Sequence, residues 1–427
     1  MVSVNPFAEF RVGCETALKN ALNRLYPQFS LVSTILESPP NPKFGELASS
    51  VCFELAKQTG KGPRKIAKQL IQIIDASKLP LVQSVKAAGE GYINFHARFE
   101  RFSRLTIESV RTLGNKYGYI RTSESKRVIV EHTSVNPIHP IHIGQARNPV
   151  LGDALARILK AHGHTVSRHY YVDDVGRQSA VIAYGYEKLG KPKPEGKPDG
   201  FIGAIYAVTS CLMEIQRLKK EIAKRKELSP NQEVSKLQRE LDDWTSVAVD
   251  LKDGSPKLFA QLLDEIGGDE DPENQVGDFI RRYEAGEKNA KRLIREVCQL
   301  CLQGFRETLA KAGISLDSWD WESDFIWNGD VMRVLDDLKS TPYVYREAGV
   351  LEFDAEKVAR DLDLKEALGL KKDYELSPLT LVRADDTTLY TTRDIPYHLW
   401  KFQKADKVVN VIGREQTLPQ LQLKMAL

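Results

Sequence analysis

Between Glu131 and Arg147 the chain reads EHTSVNPIHPIHIGQAR, a run whose residue types suit a nucleotide site. A short apolar segment, Val128 to Val130, leads into it as a strand, and a helical pattern, LGDALARILKAHGH, follows from near Gly144. A strand that turns into a helix presents free backbone N–H groups and the positive end of the helix dipole to an anion. His139 and His142 stand in that turn, where they can meet phosphate oxygens. Gly144, without a side chain, lets a flat base or ribose approach the backbone.

Other groups of reactive types stand further along. Asp173, Asp174 and Gln178 open a helix, where the acids either cap it or form the floor of the same cleft. Asp320, Glu322 and Asp324 lie among Trp319, Trp321 and Trp327; a carboxylate held between large rings in a water-poor place would attract a cation strongly. Cys298 and Cys301 form a CxxC, but inside the helical pattern LIREVCQLCLQGFRETLAKAG and with no second ligand pair, so both thiols read as helix packing. No metal site is expected from the protein's own side chains.

The elements that must position these groups follow from apolar periodicity. Residues 7 to 25, 45 to 58, 63 to 74 and 99 to 113 read as helices, LVSTILE as a strand, and LVQSVKAAGEGYINFHA as two strands about the turn Gly89 to Gly91. HTVSRHYYVDD is a strand parallel to the first, completing a βαβ unit. KPKPEGKPDG is a turn-rich link into charged helices, 211 to 228 and 231 to 251, with helical pattern to about 310. Strand signals recur from TPYVYREAGVLEFD to LSPLTLVRADDTTLYTT; DIPYHLWKFQKA then reads as a helix, DKVVNVIG as a strand and QTLPQLQLKMAL as a helix, a second βαβ unit. Two such units separated by an insertion describe a doubly wound α/β fold with its ligand in the crevice between halves. Tyr390 to Asp394 and Gly413 to Gln416 fall at strand ends with the opening turn; Asp394 either caps the helix after it or faces the crevice.

Composition sets the frame. At 427 residues, 42% hydrophobic and 28% charged, the chain is globular and long enough for two or three domains. No apolar run reaches the roughly 20 residues of a membrane span, and the N-terminus shows no targeting segment, so a cytoplasmic protein without membrane contact is expected. Five scattered cysteines build no disulfide framework. The net charge of +3 is unevenly placed: residues 1–127 carry 19 Lys and Arg against 10 Asp and Glu, a net of +9, which leaves −6 for the remainder. Lys57, Lys61, Arg64, Lys65 and Lys68 cluster on one helical segment, which suits a polyanionic partner.

The order of strand, SVNPIHPIHIGQ, AR and helix, followed later by LYTTRDIPYHLWKF and VIGREQ, resembles the class I aminoacyl-tRNA synthetases, and within them the arginyl-tRNA synthetase family. The basic N-terminal part ending GEGYINF is similar to that family's additional N-terminal domain. The resemblance implies a small α+β tRNA-binding domain over 1–125 that contacts the tRNA outer corner, then a Rossmann-type catalytic domain over 126–427 interrupted by a helical insertion at about 190–310. It implies ATP-dependent activation of L-arginine to arginyl-adenylate, usually with magnesium, and transfer to tRNA(Arg). By the same resemblance His142 and Gln145 are catalytic and bind ATP with His139 and Gly144, whereas Ser134, Asn136, His142, Glu322, Tyr390, Asp394 and Gln416 hold arginine. Asp394 is the expected guanidinium partner, since a carboxylate matches the guanidinium fork with two parallel hydrogen bonds.

This chain departs from the family pattern in two places. Gln145 replaces the second His of HIGH, and no KMSKS-like loop is found before Leu427. A helical anticodon-reading domain is also absent, so the chain reads as a fragment or a shortened relative. A non-catalytic tRNA-binding paralogue and a small-molecule nucleotidylyltransferase are the alternative functions.

Overall fold

The computed structural model describes residues 2–28, 36–120, 122–228, 232–384 and 387–427. They form two compact units, residues 1–123 with 161–163 and residues 124–160 with 164–427.

In the first unit, α1 (Pro6–Leu25) places Phe10, Cys14, Leu18 and Leu22 at four-residue spacing on its buried face, and the Asn5 side chain caps its start. After β1 (Leu47–Ser49) come α2 (Val51–Thr59) and α3 (Pro63–Ile73), then the hairpin β2 (Val82–Ala88) and β3 (Tyr92–Ala97), and finally α4 (Phe99–Leu113). The three strands form an antiparallel sheet in the order β1-β3-β2. The helix expected over 45 to 58 is shorter: Leu47–Ser49 pair with β3, and only from Val51 does the chain coil, so sheet pairing overrides the local pattern. Most of the strand expected over LVSTILE lies outside the described residues; Glu37, its last residue, bridges Ala48. In the hairpin turn Gly91 is obligatory, because a Cβ there would stand 2.7 Å from the Pro63 side chain.

The second unit is built on β4 (Arg127–His132), α5 (Arg147–Ala161), β5 (Thr165–Val172) and α6 (Arg177–Lys188). Five helices follow: α7 (Pro198–Leu228), α8 (Gln232–Gly254), α9 (Pro256–Gly267), α10 (Pro272–Glu284) and α11 (Lys288–Lys311). They bury Ile202, Ile205, Leu262, Val297 and Phe305 against α6 in one core. Cys298 and Cys301 are buried in α11, where burial pushes both thiols up, as packing residues rather than reactive ones. The chain returns as β6 (Ser318–Trp321), α12 (Glu322–Trp327) and α13 (Asp330–Lys339), then β7 (Val344–Glu347), β8 (Val350–Phe353), α14 (Ala355–Asp361) and β9 (Leu379–Val382). It ends in α15 (Tyr390–Lys404), β10 (Lys407–Val411) and α16 (Thr417–Ala426).

The central sheet is parallel, in the order β10-β4-β5-β6. From β4 the chain crosses to β5 and then β6 on one side, and it comes back as β10 on the other. The β4–β10 boundary is therefore the topological switch point, the place where an open α/β sheet leaves a crevice. The expected second βαβ unit is corrected: β7, β8 and β9 form a separate antiparallel sheet, so the strand before α15 is not in the sheet that receives β10. Among the described residues, β6 and β10 complete the parallel sheet. Among the described residues no helix is long and apolar enough to cross a membrane.

Candidate active site at the switch point

A cavity of about 480 Å³ opens at the carboxyl ends of β4 and β10. Ser134 and Asn136 line it from the turn after β4, Asp173 from the end of β5, Glu322 from the start of α12, Tyr390 and Asp394 from α15, and Gln416 from the turn after β10. Six residues singled out for arginine in the sequence are thus gathered from four separated segments. The seventh, His142, does not line this cavity, nor do His139, Gly144 and Gln145.

The turn after β4 owes its shape to local bonds. Thr133 and Ser134 both sit at left-handed φ, 76° and 41°, a conformation uncommon away from glycine and held only where surroundings fix it. His132 Nδ1 is 2.8 Å from Thr133 Oγ1. Ser134 Oγ donates to Glu131 Oε1 at 3.2 Å and accepts from the Tyr171 N–H at 3.1 Å. Burial lowers His132 to about 4, so the ring is neutral beside the strand end. Asn136 reaches across to Gln178 on α6, donating from Nδ2 at 2.8 Å.

Beyond the second proline the chain makes a 3₁₀ turn over Ile143–Gln145 before α5 begins at Arg147, three residues later than expected. His142 caps that turn: its Nδ1 accepts from the Gly144 N–H at 3.2 Å, and Gln145 Oε1 accepts from the His142 N–H at 3.2 Å. Gln145 thus has a structural task that an amide performs without charge. His139 and His142 face each other with ring centroids 5.6 Å apart. A Cβ on Gly144 would stand 3.0 Å from the His142 ring, so the glycine also makes room for that histidine.

The three aspartate and glutamate side chains around the second tryptophan separate clearly. Asp320 turns to His169 Nδ1 (2.6 Å) and the Tyr397 hydroxyl (2.8 Å), and Asp324 pairs with Arg295 at 2.5 Å. Glu322, only 1% exposed, is the one that reaches the cavity. Its Oε1 is taken by Arg393 of α15, and its Oε2 has no partner. The expected free carboxylate is therefore half engaged by the chain's own guanidinium. Burial drives the Glu322 carboxyl well above the usual carboxylate range against the pull of Arg393, and Asp173 is raised by burial as well. The neighbouring Asp173 charge adds to the rise at Glu322, and Arg393 opposes the rise at both groups.

Asp394 does not cap its helix. Leu389 occupies the cap position and α15 starts at Tyr390, so Asp394 lies one turn inside, facing the cavity. Residues that sequence reasoning passed over complete the wall: Glu131, Asn148, Tyr171, His398, Asn410 and Gln420. Tyr171 stacks on Tyr397 at 4.3 Å between centroids, and its hydroxyl is buried without a partner. Of these, His398 carried a readable signal, since it follows Asp394 by four positions in a helix.

A parallel sheet with a polar cavity at its switch point and a histidine-bearing turn before the first crossover helix is the architecture of a class I aminoacyl-tRNA synthetase catalytic domain. Comparison with known proteins makes the assignment finer. Residues 14–97 match the family model for the arginyl tRNA synthetase N terminal domain, and residues 106–226 match that for the class I (R) tRNA synthetase catalytic domain. The arginine–tRNA ligase of Saccharolobus solfataricus is 41% identical over 393 residues, 91% of this chain and 60% of the relative. That of Sulfurisphaera tokodaii is 36% identical over 99% of this chain and 65% of the relative. Thermus thermophilus arginyl-tRNA synthetase superposes with a TM-score of 0.60 and 25% identity, covering 97% of this chain and 62% of that one. The chain belongs to the arginyl-tRNA synthetase family. It spans 60 to 65% of the length of these curated relatives.

Proposed function

We propose that the switch-point cavity binds L-arginine and that the protein takes part in ATP-dependent formation of arginyl-adenylate and arginyl-tRNA(Arg). The observation that supports this is the convergence of Asp173, Glu322 and Asp394 on one cavity that also holds Tyr390 and an unpaired, buried Glu322 oxygen. Lined by acids and by Tyr171 and Tyr390, the cavity suits a planar cation with several donors. Ser134, Asn136 and Gln416 supply polar contacts for the rest of the amino acid. His142, Gly144 and Gln145, with His139 beside them, would face the triphosphate. Displacement at the α-phosphate asks the protein mainly for positioning and for charge stabilisation on the pyrophosphate.

Magnesium accompanies ATP in such reactions, yet the described residues gather no group of three or more His, Cys, Asp or Glu placed to hold a metal. In the N-terminal unit, Phe44 and Tyr92 are exposed around a cavity of about 430 Å³ that Asn94 also lines, and the Asn94 amide oxygen is unpaired. Aromatic faces beside an unused amide suit an unstacked base, which supports contact with tRNA here. The reading puts the protein in the cytoplasm, where tRNA is charged.

The test is arginine-dependent pyrophosphate exchange with tRNA present, using the longest natural form of the chain, with calorimetry for the separate ligands. Exchange is expected, and Asp394→Asn should weaken L-arginine by about 2–5 kcal/mol while sparing ATP. Absence of exchange together with unchanged arginine affinity in the variant would overturn the proposal.

A further inference from the structure

We propose that Lys401 is a positioning residue for this cavity: one buried ammonium that fixes Glu131 at one side and, through the His398 ring, orients Asp394 at the other. The name of the ligand rests on the arginine reading above; the rest stands on the chain's own hydrogen bonds. Lys401 is completely buried, a place an ammonium occupies only when its donors are used. Its Nζ donates to Glu131 Oε2 at 2.6 Å, to Asn410 Oδ1 at 3.1 Å and to His398 Nε2 at 3.1 Å, and it lies 4.1 Å from the centroid of the Tyr397 ring.

Asn410 closes the set by donating from Nδ2 to the same His398 Nε2 at 2.7 Å. Two donors on Nε2 make that nitrogen the acceptor, so the ring proton belongs on Nδ1. Nδ1 points at the Asp394 carbonyl, 2.9 Å away, and at carboxylate Oδ1, 3.2 Å away. Without that proton Oδ1 would face a lone pair and turn away. Lys401 thus selects the tautomer that holds the Asp394 carboxylate in place, by donating to Nε2 itself and by holding Asn410 Oδ1 so that the Asn410 amide donates there too. The same ammonium holds Glu131, whose other oxygen accepts from Ser134. One cation thereby ties β4, β10 and α15 together at the switch point, and it couples two walls of the cavity that share no sequence neighbourhood.

The proposal is tested in the full chain by nitrogen NMR of labelled histidine together with calorimetry. Wild-type His398 should show Nδ1–H with Nε2 unprotonated, and in Lys401→Met the ring should populate both tautomers. Calorimetry with L-arginine should show roughly tenfold or greater weakening in Lys401→Met and in His398→Asn, the scale of one charge-assisted hydrogen bond, with ATP affinity kept. His398→Asn keeps the Lys401–Glu131 pair and serves if the methionine variant does not fold. An Nε2–H tautomer in the wild type, or equal losses for arginine and ATP, would overturn the positioning role. The expected tautomer in a wild type that binds no arginine would support the network and overturn the arginine reading instead.

Discussion

Glu322 and Asp173 show how a single pair of side chains ties ligand binding to pH. Both carboxyls are raised by burial, and the Asp173 charge adds to the rise at Glu322, with Arg393 supplying only part of the compensating charge. A cation entering beside the unpaired Glu322 oxygen favours the ionised form of both, so a proton held by either carboxyl leaves as the ligand arrives. The sign follows: the raised carboxyl is lowered in the complex, so arginine binds more tightly as pH rises between the bound and free values, and equally above them. Calorimetry in buffers of different ionisation enthalpy should therefore count a fraction of one proton released per L-arginine bound, and Glu322→Gln should abolish the release. Zero protons released by the wild type would mean that the pair is not linked to the ligand.

At the scale of elements, the contact between β4 and α5 sets the turn that carries Ser134. Gly152 on α5 lies directly over His132 at the strand end: a Cβ would stand 2.3 Å from the His132 Cβ and Cγ. In an open helix, glycine to alanine gains about 1 kcal/mol of helix propensity. Here the added methyl meets a buried ring with no room to move, so Gly152→Ala should lose about 1–3 kcal/mol net, read as a lower denaturation midpoint at unchanged slope. A variant as stable as the wild type would show that the helix can slide off the strand at no cost.

The same elements show what was legible in the sequence. Helices with a single apolar stripe, such as α1 and α4, and the parallel β4–β5 pair could be read from periodicity, because burial on one side imposes it. The short β1 could not, since its three residues gain their state from pairing with β3, some forty positions on. Nor could the separate β7-β8-β9 sheet, whose strands look locally like members of the nucleotide sheet. At the site, Asp394, Tyr390 and Ser134 were readable from their motifs. Lys401 was not: one lysine among the basic residues of a helix gives no sign that it is the buried one facing Glu131, 270 positions away.

For the whole molecule the relevant asymmetry is charge. The first 127 residues carry +9 and the rest −6, so a polyanion is drawn to the N-terminal unit and not to the body that holds the carboxylate-lined cavity. Lys57, Lys61, Arg64, Lys65 and Lys68 are all exposed, on α2, α3 and the turn between them. If tRNA binds across them, each phosphate neutralised releases counterions, and the logarithm of affinity falls linearly with the logarithm of salt. Reversing Arg64, Lys65 and Lys68 to Glu should lower tRNA affinity most at low salt and flatten that slope by about 2–3. L-arginine binding should stay as in the wild type, since none of the three lines the switch-point cavity. A slope that does not change would place the tRNA phosphates on another surface and leave the basic face of α3 as solvated charge.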